Sequence, residues 1–81
     1  MSMLRMNSVK EETGHRSHAS IYMAIKKGLF TQPVPIGERS VGWPDYEVSA
    51  INRARIAGQT DEQIKALVNR LHAQRTALVQ A

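Results

Sequence analysis

Residues 6–43 read MNSVKEETGHRSHASIYMAIKKGLFTQPVPIGERSVGW, and this stretch decides the fold. Thr13-Gly14 closes a first short helix, because glycine accepts the left-handed backbone that ends one. Ser8-Val9-Lys10-Glu11 fits an S-x-x-E capping box and predicts the start of that helix near Asn7 or Ser8. Ser17 is a good N-cap for a second helix. Ile21, Ala24 and Ile25 recur at i, i+3 and i+4 and predict its buried stripe. His18, Ala19, Tyr22, Met23 and Lys26 then fall on the opposite side, by the helical step. Lys26 and Lys27 suit its C-terminal dipole, and Gly28 stops it.

Beyond Gly28 the pattern changes. Pro33 and Pro35 forbid a helix, and Val34 and Ile36 alternate with them as an edge-type strand. Gly37-Glu38-Arg39 predicts a turn, and Ser40 to Trp43 a return strand. Phe30 and Trp43 are the expected fasteners of this hairpin, since two strands alone are marginal. Pro44 suits the first turn of a third helix. Asp45 and Glu47 favour its start, and Arg53 and Arg55 its end. Val48, Ile51, and Arg55 or Ile56 mark its inward face, and Gly58 ends it. Thr60-Asp61-Glu62-Gln63 is a second capping box and opens a helix to about Leu78. Ile64, Leu67, Val68, Leu71 and Leu78 form its apolar stripe, interrupted by Arg75. The expected core is Val9, Ile21, Ile25, Phe30, Ile36, Trp43, Val48 and Ile51. Residues 1–3 and 79–81 are expected to fray.

Two helices joined by a short Gly-containing turn, followed by a hairpin, make a winged helix-turn-helix. The fold class expected is therefore mainly α with a small β-hairpin wing. Residues 1–58 are expected to form a DNA-binding domain of this type. Residues 59–81 form a C-terminal helix that packs on it or mediates protein contact.

The bulk composition narrows the function. The chain has 81 residues, one domain at most. It has no cysteine, so disulfides and thiolate metal sites are excluded. No apolar run reaches the ~20 residues of a membrane span, and a signal-peptide pattern is absent. A soluble cytoplasmic, nucleoid-associated protein is expected. Eleven Lys and Arg face seven Asp and Glu, a net charge of +4. Residues 1–43 hold six basic and three acidic side chains, net +3, and residues 44–81 five and four, net +1. The positive excess favours a polyanionic partner. No nucleophile motif, phosphate loop or inward carboxylate pair is present. His15 and His18 lack a third ligand at helical spacing, His72 lies far along the chain, and both turn histidines read as exposed polar residues. No catalysis, metal or cofactor is expected.

The candidate DNA-binding residues are Arg16, Ser17, His18, Ser20, Tyr22, Lys26, Lys27 and Arg39. Ser17 and Ser20 stand at a helix N-terminus, where free N–H groups and the dipole attract phosphate. Arg16 and His18 reach a phosphate or base edge there. Tyr22 and Lys26 extend the face by one and two turns. Arg39 at the wing tip meets the neighbouring backbone or minor groove. Each residue also has a plain structural role: Ser17 as a cap, Lys26 as a solvated charge, Tyr22 as half core. Their ordered combination points to DNA.

The run Leu4 to Val9, Thr13-Gly14, Ser20-Ile21-Tyr22, Gly28-Leu29-Phe30, Pro33-Val34, Ile36-Gly37, Arg39, Val41-Gly42-Trp43 and Glu47-Val48 resembles the AlpA family of phage and prophage regulatory proteins. The resemblance covers roughly residues 4–58. It implies a winged helix-turn-helix similar to excisionases and to the DNA-binding part of MerR-type regulators. It implies action on prophage or genomic-island DNA, as an activator of integrase transcription or as a recombination directionality factor. Ser20, Ile21 and Tyr22 fall on the family's recognition-helix run, and Arg39 on its wing arginine. Between Gly14 and Ile21 this chain has six residues where about five are expected, so the turn at His15-Arg16 is longer. The motif therefore does not decide which of Arg16, Ser17 and His18 takes each groove position.

The reading is a DNA-binding regulator whose partners are duplex DNA and an integrase or RNA polymerase. Activator and excisionase need the same fold and stay open. So does a rival: a non-catalytic interaction module that docks through its last helix. On that helix Ile64, Leu67, Val68 and Leu71 are the candidate protein-contact residues. A winged core this small is expected to leave part of that seam exposed for self-association or a second protein.

Overall fold

In the computed structural model of the protein, residues 2–80 are described, with side chains described to residue 77. Seven elements follow in chain order: β1 (Met3–Leu4), α1 (Met6–Thr13), α2 (His18–Lys26), β2 (Val34–Pro35), β3 (Val41–Pro44), α3 (Asp45–Ile56) and α4 (Asp61–Gln80). The helix-turn-helix and its hairpin stand where the residue pattern puts them. The architecture is a winged helix-turn-helix: mostly helical, with a small antiparallel sheet.

The sheet has one strand more than the sequence suggests. Its order is β1-β3-β2, with Met3 opposite Pro44, Leu4 opposite Trp43, Val34 opposite Gly42 and Pro35 opposite Val41. Residues 2 and 3 therefore do not fray. The Asp45 N–H donates to Ser2 O at 2.8 Å, which anchors the chain's start on β3. A two-residue strand has no periodicity to reveal it. This pairing also moves the first helix. The chain enters α1 straight from β1, with Arg5 as N-cap and no side-chain cap, and Val9 N–H bonds Arg5 O at 2.9 Å. Ser8 lies inside the first turn, so the S-x-x-E box does not form.

Other caps obey local chemistry. Ser17 Oγ accepts from Ser20 N–H at 3.1 Å. Thr60 and Gln63 exchange reciprocal bonds, with Gln63 Oε1 accepting from Thr60 N–H at 2.9 Å and Thr60 Oγ1 accepting from Gln63 N–H at 3.2 Å. At the end of α2, Gly28 takes φ 78°. This lets Leu29 N–H reach Ala24 O at 2.9 Å and satisfies a terminal carbonyl.

The core gathers one or more residues from each helix. Val9 of α1, Ile21 and Ile25 of α2, Phe30 and Trp43 of the hairpin, Val48, Ile51 and Ala54 of α3, and Ile64, Val68 and Leu71 of α4 form one buried cluster. Trp43 is fully buried, donates Nε1–H to Thr31 O at 2.8 Å and packs on Phe30 at 5.9 Å between ring centroids. Two core assignments fail. Ile36 is exposed, because it lies at the end of the ribbon and covers the Gly42 backbone instead. Ile56 is 85% exposed, and Arg55 is exposed as well; Ala54 takes the inward place. The helical step from Ile51 explains this, since Ala54 at i+3 continues the stripe.

Glu47 is the least expected member of the interior. It reads in sequence as a dipole charge, yet it is fully buried. Arg75 of α4 meets it in a fork: Nε donates to Oε2 at 2.7 Å and an Nη to Oε1 at 2.6 Å. The same guanidinium donates to Gln32 O at 2.7 Å, and Gln32 N–H donates to His72 Nε2 at 3.0 Å. His72 and Arg75, three apart on α4, thus hold both backbone polar groups of one loop residue. Burial first, and the Glu47 carboxylate second, push the neighbouring Tyr46 phenol above its ordinary range.

Removing one half of a buried ion pair strands the other charge and costs about 3–5 kcal/mol. Arg75→Ala is expected to lose that much in denaturant unfolding. Arg75→Met combined with Glu47→Met is expected to recover most of it, since no charge is left stranded. If Arg75→Ala unfolds at the wild-type denaturant midpoint, the pair contributes nothing to stability.

Candidate nucleic-acid interface

The turn between α1 and α2 is built from Gly14, His15, Arg16 and Ser17. Gly14 takes φ 79°, which a side chain would strain, and its N–H closes α1 on Lys10 O at 2.9 Å. The chain then extends through Ser17, at φ −144° and ψ 159°, and enters α2. The longer turn is therefore resolved: Ser17 is the cap, Arg16 lies before it, and His18 opens the helix. Arg16, Ser17 and His18 are all exposed.

Along α2 the two faces separate as the periodicity requires. Ile21 and Ile25 are buried, while His18, Ala19, Tyr22, Met23 and Lys26 are exposed. Tyr22 and Met23 are 45% and 51% exposed, so two large apolar side chains face solvent on a helix that also bears Lys26. Nine residues at 1.5 Å each give a rod of about 14 Å, and a helix of about 10–12 Å diameter matches the ~12 Å width of the major groove. Ser20 is half-buried, and its hydroxyl bonds His15 Nδ1. His15 is thus not a free exposed residue; it packs in the turn. Its spacing of five from Ser20 spans a non-helical corner, which no helical pattern reports.

The wing carries Arg39 in the exposed turn at residues 37–39, with the ribbon closed by Ile36 N–H to Ser40 O at 3.0 Å. Gly42 lets this ribbon lie against β1: a Cβ there would stand 3.1 Å from Leu4 O. Arg39 belongs to a separate element from α2, and the sheet rather than the helix fixes its position.

Charges divide between the two regions. Among the described residues, ion pairs join Arg55 to Asp61, Lys65 to Glu62 and Arg75 to Glu47. Arg16, Lys26, Lys27 and Arg39 take part in none of them. Three of the four acidic groups of the second half are paired within the chain and Asp45 accepts from the Ser2 hydroxyl, while the cations of the turn, α2 and the wing remain available to a polyanion.

The expected protein-contact seam is a correction. Ile64, Val68 and Leu71 are buried in the chain's own core, and Leu67 packs against it half-buried. The core was expected to be too small to cover them. It is large enough because α3 presents Val48, Ile51 and Ala54 to the partly apolar face of α4, with the Glu47–Arg75 pair beside them. Leu78 of the same stripe lies outside the described side chains. No helix among the described residues is long and apolar enough to cross a membrane.

Residues 2–55 match the family model described as Prophage CP4-57 regulatory protein (AlpA). The chain belongs to the AlpA family. Neither the curated proteins nor the solved structures return a match. The matched span contains β1, the helix-turn-helix, the wing and nearly all of α3. Helix α4, with Arg75 and His72, lies outside the AlpA match, although it completes the core.

Ser17→Ala is expected to lower stability by about 1 kcal/mol, the usual worth of an N-cap. In a domain of this size that is a fall of roughly 4–8 °C in melting temperature. Tyr22→Ala is expected to stay within about 0.5 kcal/mol of wild type, because its ring is half in solvent. A large loss of melting temperature for Tyr22→Ala would show that the ring is core and not available for contact.

Proposed function

We propose that this AlpA-family regulator binds duplex DNA, with α2 in the major groove and the wing on the adjacent backbone or minor groove. The observation that carries the reading is the Ser17-capped helix. It buries Ile21 and Ile25 while holding His18, Tyr22, Met23 and Lys26 in solvent, between cations that have no ion-pair partner among the described residues. Arg16, Lys26, Lys27 and Arg39 supply phosphate contacts and affinity. Ser17 adds the helix N-terminus. His18, Ser20 and Tyr22 read base edges. The locus is a prophage or genomic island. There the protein acts as an activator of an integrase gene or as a recombination directionality factor, two roles that share this surface. An integrase or RNA polymerase partner docks on a surface other than the α4 seam, since that seam is largely used inside the chain.

A gel shift with a duplex from the protein's own locus tests the reading. Four phosphate-neutralising cations imply that log K falls with log salt at a slope of about −3.6. Arg39→Ala is expected to weaken all duplexes alike and to reduce that slope by about one. Binding with no salt dependence sinks the reading. Unchanged binding by a folded Arg39→Ala removes the wing from it.

A further inference from the structure

Ser20 is held at its backbone N–H and its hydroxyl from the turn. Its backbone N–H is bound by Ser17 Oγ at 3.1 Å, and its hydroxyl lies 2.5 Å from His15 Nδ1. Without such a partner, a serine in a helix points its hydroxyl to solvent or turns it back onto a carbonyl of the preceding turn. Here the half-buried His15 ring takes that role from outside the helix. A hydroxyl has one proton and two lone pairs, and a neutral imidazole has one donor and one acceptor nitrogen. The direction of the His15–Ser20 bond therefore decides what Ser20 offers to solvent.

We propose that His15 is a positioning residue for base recognition: its Nδ1 accepts the Ser20 hydroxyl proton and leaves Ser20 Oγ as a pure acceptor toward the groove. This rests on the DNA-binding reading above. It also sharpens it. A phosphate oxygen offers only lone pairs, so an acceptor-only Ser20 gains nothing from the DNA backbone. In the major groove it finds donors only on the exocyclic amines, N6 of adenine and N4 of cytosine. Guanine and thymine present acceptors or a methyl group and are disfavoured at that position. His15 touches no base itself. It acts by fixing the rotamer and polarity of a neighbour.

Two measurements on the full chain test the proposal. Nitrogen NMR of the histidine rings reports whether His15 Nδ1 is the bare acceptor or carries the proton. Selection from a randomised duplex pool reports base preference. Wild type is expected to show an unprotonated His15 Nδ1 and to enrich adenine or cytosine at one position. Ser20→Ala and His15→Ala are each expected to erase that preference, with about a threefold to tenfold loss on the best duplex. The double variant is expected to be no worse than either single one, because both remove the same contact. His15→Asn, whose carbonyl oxygen offers an acceptor in place of Nδ1, is expected to restore much of the preference. If His15→Ala fails to fold, Ser20→Ala and His15→Asn carry the comparison. The proposal is overturned if Nδ1 carries the proton. It is also overturned if the two single losses multiply, or if His15→Ala weakens every duplex equally with its preference intact. If wild type enriches no sequence while Nδ1 is the acceptor, it is the DNA-reading conclusion that fails, and this proposal falls with it.

Discussion

The fork between Arg75 and Glu47 is the constraint on which the arrangement depends. A carboxylate with no solvent exposure is tolerable only when its charge is matched and its lone pairs are bonded, and Arg75 does both. The price is that three distant segments must come together. Glu47 lies at the start of α3, Arg75 in the second half of α4, and Gln32 in the loop that leads to the wing. One guanidinium joins all three. It thereby fixes how α4 lies across α3 and where the chain enters the ribbon. Trp43, bonded to Thr31 and packed on Phe30, secures the other side of the same loop.

From that scaffold follows the placement of α2 and the wing. β3 is the central strand, so the wing is registered through Val34 and Pro35 on one side and through Met3 and Leu4 on the other. Helix α1 leaves β1 directly, and its C-terminal end is held by Asn52 of α3, whose Nδ2 donates to Glu12 O at 2.9 Å. The turn and α2 then stand on a platform in which α3 joins α1, β3 and α4. A helix of nine residues such as α2 is too short to be stable by itself. Its geometry comes from the platform through Ile21 and Ile25.

The helix that completes the core is the one that the AlpA match does not include. Its apolar seam invited a reading as a partner surface, and the structure spends it internally. This changes where a partner could dock. Ile56, exposed at the end of α3, is an apolar side chain that the core does not cover, whereas the α4 seam is mostly covered.

Much of the fold was legible because its signals are local. Ser17 caps α2, Thr60 and Gln63 cap α4, glycines end the first three helices, and prolines punctuate the ribbon, each through chemistry contained within four or five residues. The exposed face of α2 follows from the helical step alone, so the candidate residues Arg16, Ser17, His18, Tyr22, Lys26 and Lys27 were readable before any tertiary contact. What local pattern misled on is also informative. Ser8 and Glu11 satisfy a capping motif that never forms, because pairing of Met3 and Leu4 with β3 starts the helix earlier. Ile36 and Ile56 are hydrophobic but face solvent, since hydrophobicity does not say which side of a ribbon end or helix end is covered. Glu47 with Arg75, Gln32 with His72, and His15 with Ser20 had no signal at all. The sequence by itself determined the four helices, the caps of α2 and α4 and the exposed face of α2, because these depend on neighbours along the chain. Only the tertiary structure decided the third strand, the buried ion pair and the closure of α4, because each depends on groups that are 28 to 43 residues apart, or on opposite strands, and meet only when the core forms.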